Sequence, residues 1–507
     1  MQLYSQQTST RYPFRWIALL CALTLLLLAI PGTSTANGQA AAPAIVKPQQ
    51  IYTYDRMSAD LQSLAARYPD LIRTGSAGES EYGRKLWTAD IGNGPAIILL
   101  LGSHHAREWI TTVTMMKLME QIAVQYENNA VTPDGYRVRD LLDRVTFRLV
   151  PMVNPDGVTL QQLGLSAFPA SDHASLLRMN GGSANFKRWK ANAKGIDLNR
   201  QYPAGWANIK NPAPGPYYMN YRGKQPLQAK EAKAMYDLAR SVKPEVAVAY
   251  HSSGEILYWN FKTKPANVAR DYQFASSYAK LTGYRLVQPQ ANPSGGGFTD
   301  WFIQDFGRPG LTPELGRSAG ETHVPLSEWP RIWGQHKNTG WFLAQTGYEL
   351  WLQRQQTAPL TSNIRLTSSE TSYLYPDLKS KQAGILAPGR YATIRMKGDW
   401  LEVRTSSGTS WISSRAVLSG PYEKTENMTV TLGPDIGLYD SPLAAAPSAI
   451  RLTEQSAPVR ERWKGWLFVE TTGGMRWLKE SELPKPQPGE ETPSENTDEE
   501  KAAAETE

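Results

Sequence analysis

The feature that most constrains this chain is a short apolar run that ends in a histidine and a glutamate. Residues 96–102 are mainly large aliphatic side chains, which is typical of a buried β-strand. The chain then becomes polar and carries His105 and Glu108 three positions apart. An imidazole and a carboxylate at this spacing, just past a strand end, can reach one metal ion from the same side. Such a pair is also common among solvated side chains, so a metal site requires a further ligand.

A second apolar run, residues 245–250, ends at His251. A catalytic zinc site needs three protein ligands and an open position. Ligands of open α/β sheets gather at the carboxyl ends of strands, where both runs place their polar residues. We therefore expect His105, Glu108 and His251 to bind one zinc ion. The alternative for His251 is a hydrogen-bonded histidine at the rim of a site.

Short apolar runs alternate with helical stretches over the first two thirds of the chain. The predicted strands are residues 85–91, 96–102, 145–152, 245–250 and 310–313. One predicted helix begins at residue 54, and the other predicted helices are residues 111–126, 229–241, 266–282 and 329–346. Continuous apolar strands between helices favour a largely buried sheet covered on both faces. The predicted fold class is α/β, with a mixed, mostly parallel sheet flanked by helices.

A polar segment at residues 348–372 is expected to be a linker to a different kind of structure. Beyond it the pattern changes to short strands and turns, and Trp400 and Trp411 recur sixty-six residues later as Trp466 and Trp477. The repeat predicts two small all-β domains, at residues 373–420 and 428–484. We expect the tryptophans to be core residues, with a ligand platform as the alternative. The repeats resemble bacterial SH3-type domains, which often attach proteins to cell walls.

The N-terminal residues 1–36 are typical of a secretory signal peptide. Arg11 and Arg15 precede the apolar run of residues 16–30, and small residues follow it. A retained membrane anchor is the alternative, although the run is shorter than the ~20 residues that a span needs. The single cysteine, Cys21, lies in this run, so the mature protein is expected to have no disulfide bond.

Charge is divided unevenly along the chain. Residues 485–507 hold eight acidic residues against Lys485 and Lys501, which predicts a disordered acidic tail. Because the whole chain has a formal charge of +7, the rest of it is strongly basic. A basic exported protein fits anionic surroundings such as a bacterial cell wall. We expect no nucleic-acid partner, since no basic cluster is interleaved with aromatic residues.

Five ordered motifs resemble those of the zinc carboxypeptidase (M14) family. They are HAREW at residues 105–109, NPDG at 154–157, GIDLNR at 195–200, HS at 251–252 and TPEL at 312–315. The resemblance extends over about residues 52–347 and implies a zinc peptidase domain at residues 48–347 with one zinc ion per chain. Residues 189–193, 199–203 and 294–298 are most similar to the bacterial γ-D-glutamyl-meso-diaminopimelate peptidase I branch.

The resemblance implies a role for individual residues. Glu314 matches the general base that deprotonates the water on the zinc and then protonates the leaving amine. Asp197 matches a carboxylate that orients the ring of His105. Asn199 and Arg200 match residues that bind a substrate carboxylate, for which a guanidinium fork is well shaped.

For two basic residues, the role that the resemblance implies has an alternative. Arg107 would add positive potential along the substrate groove, and a structural ion pair is its alternative role. Lys190 stands where digestive family members carry an arginine that polarises the scissile carbonyl. Lysine keeps the charge but loses the bidentate fork. Arg188 is the alternative cation for this role.

The segment before the Ser-Gly-Gly stretch departs from the digestive enzymes. Those enzymes carry a substrate-closing tyrosine there, but residues 289–293 are PQANP. A different substrate would explain the change. Phe298 and Thr299 occupy the positions where the family sets its side-chain preference.

Together these observations predict a secreted, cell-wall-associated zinc metallopeptidase. Its expected substrate is the γ-D-glutamyl-diaminopimelate bond of peptidoglycan peptides, with Arg200 binding a diaminopimelate carboxylate. The alternative is a general metallocarboxypeptidase that removes C-terminal residues. A wall-binding protein without turnover is disfavoured, because the ligand set and Glu314 are all present. The motifs begin soon after the signal peptide, so we expect no inhibitory pro-domain; no sequence feature sets the oligomeric state.

Overall fold

The computed structural model describes residues 43–444 and 446–484. The expected signal peptide at residues 1–36 and the expected acidic tail at residues 485–507 lie outside these ranges. Across the described ranges, every helix is too short or too polar to cross a membrane.

A mixed β-sheet forms the centre of the N-terminal domain. Its strands in the described part of the chain are β1 (Ile72–Glu79), β2 (Lys85–Ile91), β3 (Ala96–Leu101), β4 (Val145–Val150), β5 (Val246–Ala249), β6 (Ile256–Tyr258), β7 (Arg285–Leu286) and β8 (Gly310–Glu314). Their spatial order is β1-β2-β4-β3-β5-β8-β6-β7. The central strands β4, β3, β5 and β8 are parallel to one another. The antiparallel pairings are β1 with β2, β2 with β4, and β6 with β8.

Helices cover both faces of this sheet. They are α1 (Tyr54–Arg67), α2 (Ile110–Glu127), α3 (Val138–Leu142), α4 (Pro155–Leu163), α5 (Ala170–Met179), α6 (Lys230–Val242), α7 (Pro265–Thr282), α8 (Phe298–Phe306), α9 (Trp329–His336) and α10 (Thr339–Arg354). Successive side chains of β3 point to opposite faces. Ile98 and Leu100 pack in one apolar cluster with α2, α7 and α10, whereas Leu99 and Leu101 pack in another with α6 and α8. The predicted α/β class and mostly parallel sheet are confirmed.

The prediction of one helix at residues 329–346 is wrong in two respects. The stretch is two helices, because α9 ends at His336 and α10 begins at Thr339 after a polar Lys-Asn turn. In addition, α10 continues past Gly347 to Arg354. Gly347 does not end the helix: a Cβ there would lie 2.9 Å from Ile98 side-chain atoms, so glycine allows α10 to pack closely on β3.

The C-terminal region is antiparallel β-structure in two sheets. The first contains β9 (Thr357–Pro359), β10 (Asn363–Leu366), β11 (Glu370–Tyr373), β12 (Gln382–Leu386), β13 (Gly389–Lys397), β14 (Trp400–Thr405), β15 (Gly408–Ser413) and β16 (Val417–Ser419). The second contains β17 (Glu423–Lys424), β18 (Thr429–Leu432), β19 (Gln455–Trp463), β20 (Trp466–Thr471) and β21 (Gly474–Lys479). Residues 348–372, expected as a linker, are therefore the end of α10 and three strands with short connections.

The two β domains repeat one hairpin. Strands β14 and β15 pair in the same way as β20 and β21, which places the repeated tryptophans at matching positions. Trp400, Trp411 and Trp477 are buried, and Trp466 is half-buried. Three of the four tryptophans are therefore core residues, as expected.

The first β domain packs directly on the N-terminal domain. Trp400 and Trp411 belong to the apolar cluster that covers one face of the central sheet. The Tyr348 hydroxyl, on α10, donates to Asp399 Oδ1 at 2.6 Å and accepts from Trp400 Nε1 at 2.7 Å. Arg144 donates to the other Asp399 oxygen. We call Arg144, Tyr348, Asp399 and Trp400 the docking network.

Candidate active site and metal centre

The three expected metal ligands lie at the carboxyl ends of adjacent parallel strands. His105 precedes a short 3₁₀ turn that follows β3, Glu108 is the last residue of that turn, and His251 follows β5 by two residues. Because β3 and β5 are hydrogen-bonded in parallel, their carboxyl ends meet at the same sheet edge. The fold thus brings together side chains that are 143 positions apart in sequence.

The donor atoms of these ligands converge. His105 Nδ1 lies 2.8 Å from Glu108 Oε1, and His251 Nδ1 lies 2.9 Å from Glu108 Oε2. The two Nδ1 atoms are 3.0 Å apart. All three side chains are buried, and they form the one group of possible metal ligands found in the described ranges. Two imidazole nitrogens and a carboxylate at one point are the donor set that zinc prefers in catalytic sites.

Asp197 fixes the orientation of the first histidine. Its Oδ1 lies 3.1 Å from His105 Nε2, so it favours a proton on Nε2 and leaves the Nδ1 lone pair facing the other donors. The backbone N–H groups of Asn199 and Asn220 also donate to this carboxylate. Burial alone would raise the pKa of Asp197, but the charges of Lys190 and His105 hold it well below its ordinary value.

Behind the second histidine lies a residue whose contact was not predicted from sequence. His104 stacks on His251 with ring centroids 5.7 Å apart, and its Nε2 is 3.0 Å from the Tyr202 hydroxyl. Burial and the neighbouring histidines lower the pKa of His104 well below its ordinary value. A neutral ring in this position supports the plane of His251. The one sequence feature that could have indicated this contact is that His104 directly precedes the metal ligand His105.

A cavity of about 420 Å³ opens beside the metal ligands. The predicted site residues that line it are His105, Lys190, Asn199, Arg200, His251 and Glu314. Arg107 is not among the lining residues, and its Nη1 donates to the backbone oxygen of Arg188 at 3.1 Å. The structural role for Arg107 therefore has a specific partner, although that partner is a carbonyl and not an acid.

Glu314 lies at the end of β8, where the strand reaches the cavity. Its backbone pairs with His251 on one side and Ile256 on the other. Burial and the charge of Glu108 raise the pKa of Glu314 to about 8, against a lowering effect of Lys190. A dication at the ligand set would oppose both effects and favour the carboxylate.

Of the two candidates for polarising the scissile carbonyl, Lys190 is the one that lines the cavity. Its Nζ lies 3.7 Å from Asp197 Oδ2, and its side chain is partly exposed at the cavity wall. Arg188 is held elsewhere, since it donates to Asn180 and stacks on Tyr218 with its guanidinium 3.9 Å from the ring centroid. Of the two candidate cations, Lys190 therefore lies at the cavity, whereas Arg188 is held by Asn180 and Tyr218.

Asn199 and Arg200 lie on a short 3₁₀ turn that also lines the cavity. Arg200 Nη1 donates to the Asn199 backbone oxygen at 2.9 Å, and Asn199 Oδ1 accepts from the Phe298 N–H at 3.0 Å. Of the two positions expected to set side-chain preference, Thr299 lines the cavity and Phe298 is buried in the core. The Thr299 hydroxyl pairs with that of Thr312 at 2.6 Å.

The fold and the donor set define a class of protein, the zinc metallopeptidases. The family model described as "Zinc carboxypeptidase" matches residues 57–339. The chain therefore belongs to the zinc carboxypeptidase (M14) family and has its enzyme type and its zinc cofactor.

Three relatives are similar to part of this chain. Gamma-D-glutamyl-L-diamino acid endopeptidase 1 of Lysinibacillus sphaericus is 39% identical over 303 residues, covering 59% of this chain and 73% of the relative. An uncharacterized protein of Bacillus subtilis is 30% identical over 303 residues, covering 58% of this chain and 78% of the relative. Carboxypeptidase B of Astacus astacus is 29% identical over 219 residues, covering 41% of this chain and 64% of the relative.

Proposed function

We propose that this protein is a secreted zinc peptidase that hydrolyses γ-D-glutamyl-diaminopimelate bonds in peptidoglycan peptides. The observation that carries the proposal is the 39% identity to an endopeptidase whose name specifies a γ-D-glutamyl-L-diamino acid bond. That similarity spans most of the relative's length.

The lining of the cavity also favours a polar substrate side chain. Beyond the residues already placed, it includes the polar residues Asn260, Gln288, Gln290, Ser294, Asp300 and Thr312 beside the apolar residues Trp259, Phe261 and Val287. Amide and hydroxyl groups can hydrogen-bond both an ammonium and a carboxylate. Diaminopimelate carries both groups at its second centre, whereas an aliphatic or aromatic side chain would give the side-chain amides of Asn260, Gln288 and Gln290 no hydrogen-bond partner.

The chain's own residues then divide the reaction between them. Zinc held by His105, Glu108 and His251 would supply Lewis acidity at the scissile carbonyl and promote deprotonation of water. Glu314 takes a proton from the attacking water, whose oxygen bonds to the carbonyl carbon, and gives a proton to the amine as the C–N bond breaks. Lys190 stabilises negative charge that develops on the carbonyl oxygen.

Arg200 and Asn199 hold the substrate on the leaving-group side. Arg200 presents a guanidinium fork to a diaminopimelate carboxylate. The Asn199 amide is held in place by the Phe298 N–H, so its NH₂ group is directed away from that contact. Binding at this wall places the scissile bond beside Glu314 and the metal ligands.

A second function has its own support. A general metallocarboxypeptidase would use the same Arg200 for the C-terminal carboxylate, and the Astacus carboxypeptidase B is 29% identical. The two functions differ in the bond that is cleaved, so product analysis separates them.

The deciding experiment offers both kinds of substrate to the zinc-loaded chain. L-Ala-γ-D-Glu-diaminopimelate peptides and ordinary peptides are incubated together, and products are identified by mass spectrometry. We expect release of diaminopimelate-containing fragments, and trimming of ordinary C-terminal residues alone would establish the second function. The Glu314→Gln chain is the matched control, because it keeps the three metal ligands and lacks the base.

Location at the cell wall is part of the same proposal. The basic charge of the chain and the C-terminal β domains support it. We expect the Glu314→Gln chain to sediment with purified, insoluble wall and to be released as salt is raised, because added ions screen charge attraction between surfaces. A chain that stays in the supernatant at low salt would refute wall binding.

A further inference from the structure

Tyr258 contributes an unpartnered phenol to the cavity. It ends β6, its side chain is among the lining residues, and 45% of the residue is exposed. Its neighbour Leu257 is fully buried, so the strand itself is firmly packed. Within the described part of the chain, the Tyr258 hydroxyl makes no hydrogen bond. A tyrosine held on a packed strand with a free hydroxyl in a cavity is positioned to contact a ligand.

The strand register places this ring on the catalytic face. In the antiparallel pair of β6 and β8, Tyr258 lies opposite Thr312, and Ile256 lies opposite Glu314. Partners across a ladder, and residues two apart along a strand, point to the same side of a sheet. Tyr258, Thr312 and Glu314 therefore share one face, with Tyr258 and Glu314 as diagonal neighbours within reach of an aromatic side chain.

Charges on two walls of the cavity act on this phenol. Burial raises the pKa of Tyr258, the charge of Glu314 raises it further, and the charges of Arg200 and Arg285 lower it. The hydroxyl thus lies within electrostatic reach of both Glu314 and Arg200. With its pKa above the ordinary value, it stays protonated and is a hydrogen-bond donor at neutral pH.

We propose that Tyr258 determines specificity by donating a hydrogen bond to the substrate carboxylate that Arg200 binds. A carboxylate has about four acceptor positions, and a guanidinium fork uses two of them. Tyr258 completes the anion site from the strand that also borders Glu314. The proposal rests on the role of Arg200 in the proposed function, and it holds for a wall peptide or an ordinary C-terminus alike.

The test compares Tyr258→Phe with the unmodified chain on two matched peptides. The peptides share one scissile bond, and one carries a free carboxylate beside it whereas the other carries a carboxamide. We expect KM for the carboxylate peptide to rise roughly tenfold to a hundredfold, the range for a hydrogen bond to a charged group. The rise for the carboxamide peptide should be much smaller. Tyr375→Phe is the matched control, because Tyr375 is 68% exposed and does not line the cavity.

A binding measurement tests the contact of Tyr258 with the carboxylate independently of which peptide bond the enzyme cleaves. Diaminopimelic acid and free phenylalanine, neither of which has a bond for the site to cleave, are titrated into the zinc-loaded chain by calorimetry. Weaker binding of either one to Tyr258→Phe, by the same factor as KM, supports the contact even if the substrate assignment fails. The proposal would be overturned if Tyr258→Phe and the unmodified chain had the same KM and the same affinity. It would also be overturned if KM rose equally for the carboxylate peptide and the carboxamide peptide.

Discussion

Replacing Asp399 by alanine should strongly destabilise the chain through the docking network. The side chains of Arg144 and Asp399 are only 6% and 8% exposed. Asp399 accepts hydrogen bonds from both Arg144 and Tyr348. Its removal would leave a guanidinium buried without its carboxylate, which typically costs about 3–5 kcal/mol. That is a large share of the roughly 5–15 kcal/mol by which domains are stable.

The assay is thermal unfolding of the full chain, with limited proteolysis of the native protein alongside it. Asp440→Ala is the matched control: Asp440 has a 73% exposed side chain and lies 3.5 Å from its Arg476 partner. Exposed pairs contribute about 0–1 kcal/mol, so this variant should melt close to the unmodified chain. Asp399→Ala should melt clearly lower and be cut sooner between the two domains.

A double variant identifies the cause of the loss. Arg144→Met combined with Asp399→Leu removes both charges, so no unpaired ion stays buried. Such replacements are often neutral or stabilising, and the double variant should recover much of what Asp399→Ala loses. The explanation by an uncompensated buried charge is refuted if Asp399→Ala has the same melting temperature as Asp440→Ala. It is also refuted if the double variant has the lowest melting temperature of all.

Three further predictions concern single residues. Glu314→Gln should lower kcat by about 10²- to 10⁴-fold, as for loss of a general base, with zinc content by elemental analysis unchanged; full turnover would reject the assigned base. Asp197→Asn should weaken zinc affinity by roughly 10- to 100-fold in a competition titration with a chelator, because His105 loses its orienting carboxylate; unchanged affinity would contradict that role. Burial, with the charges of Asp156 and Glu81, raises the pKa of Glu231 from 4.5 to about 8. Between about pH 5 and pH 8 the folded chain therefore keeps the Glu231 proton, whereas the unfolded chain has lost it. The melting temperature of the unmodified chain should fall relative to that of Glu231→Gln as pH rises through this range, and a constant difference between the two melting temperatures would refute it.

The metal ligands were predictable because each is part of a local pattern. An apolar run marks each strand, and its end marks the sheet edge at which His105 and His251 must lie. The neighbours that tune these ligands have no such pattern. The stacking of His104 on His251, and the place of Tyr258 beside Glu314, depend on ring packing and on the register of β6 against β8. A sequence specifies the alternation of a strand but not which residue of a distant strand it faces.

The domain boundary was misplaced for a related reason. Polar composition after Gly347 is typical of a linker, but Arg144 and Asp399 meet although 255 positions separate them. Gly347 was expected at the end of the domain, yet its missing side chain is what brings α10 against Ile98 of β3. The helix that carries the first β domain therefore packs on the same strand that leads to His105. The close packing of α10 on β3, together with the docking network, therefore couples the position of the first β domain to the strand that leads to the metal ligands.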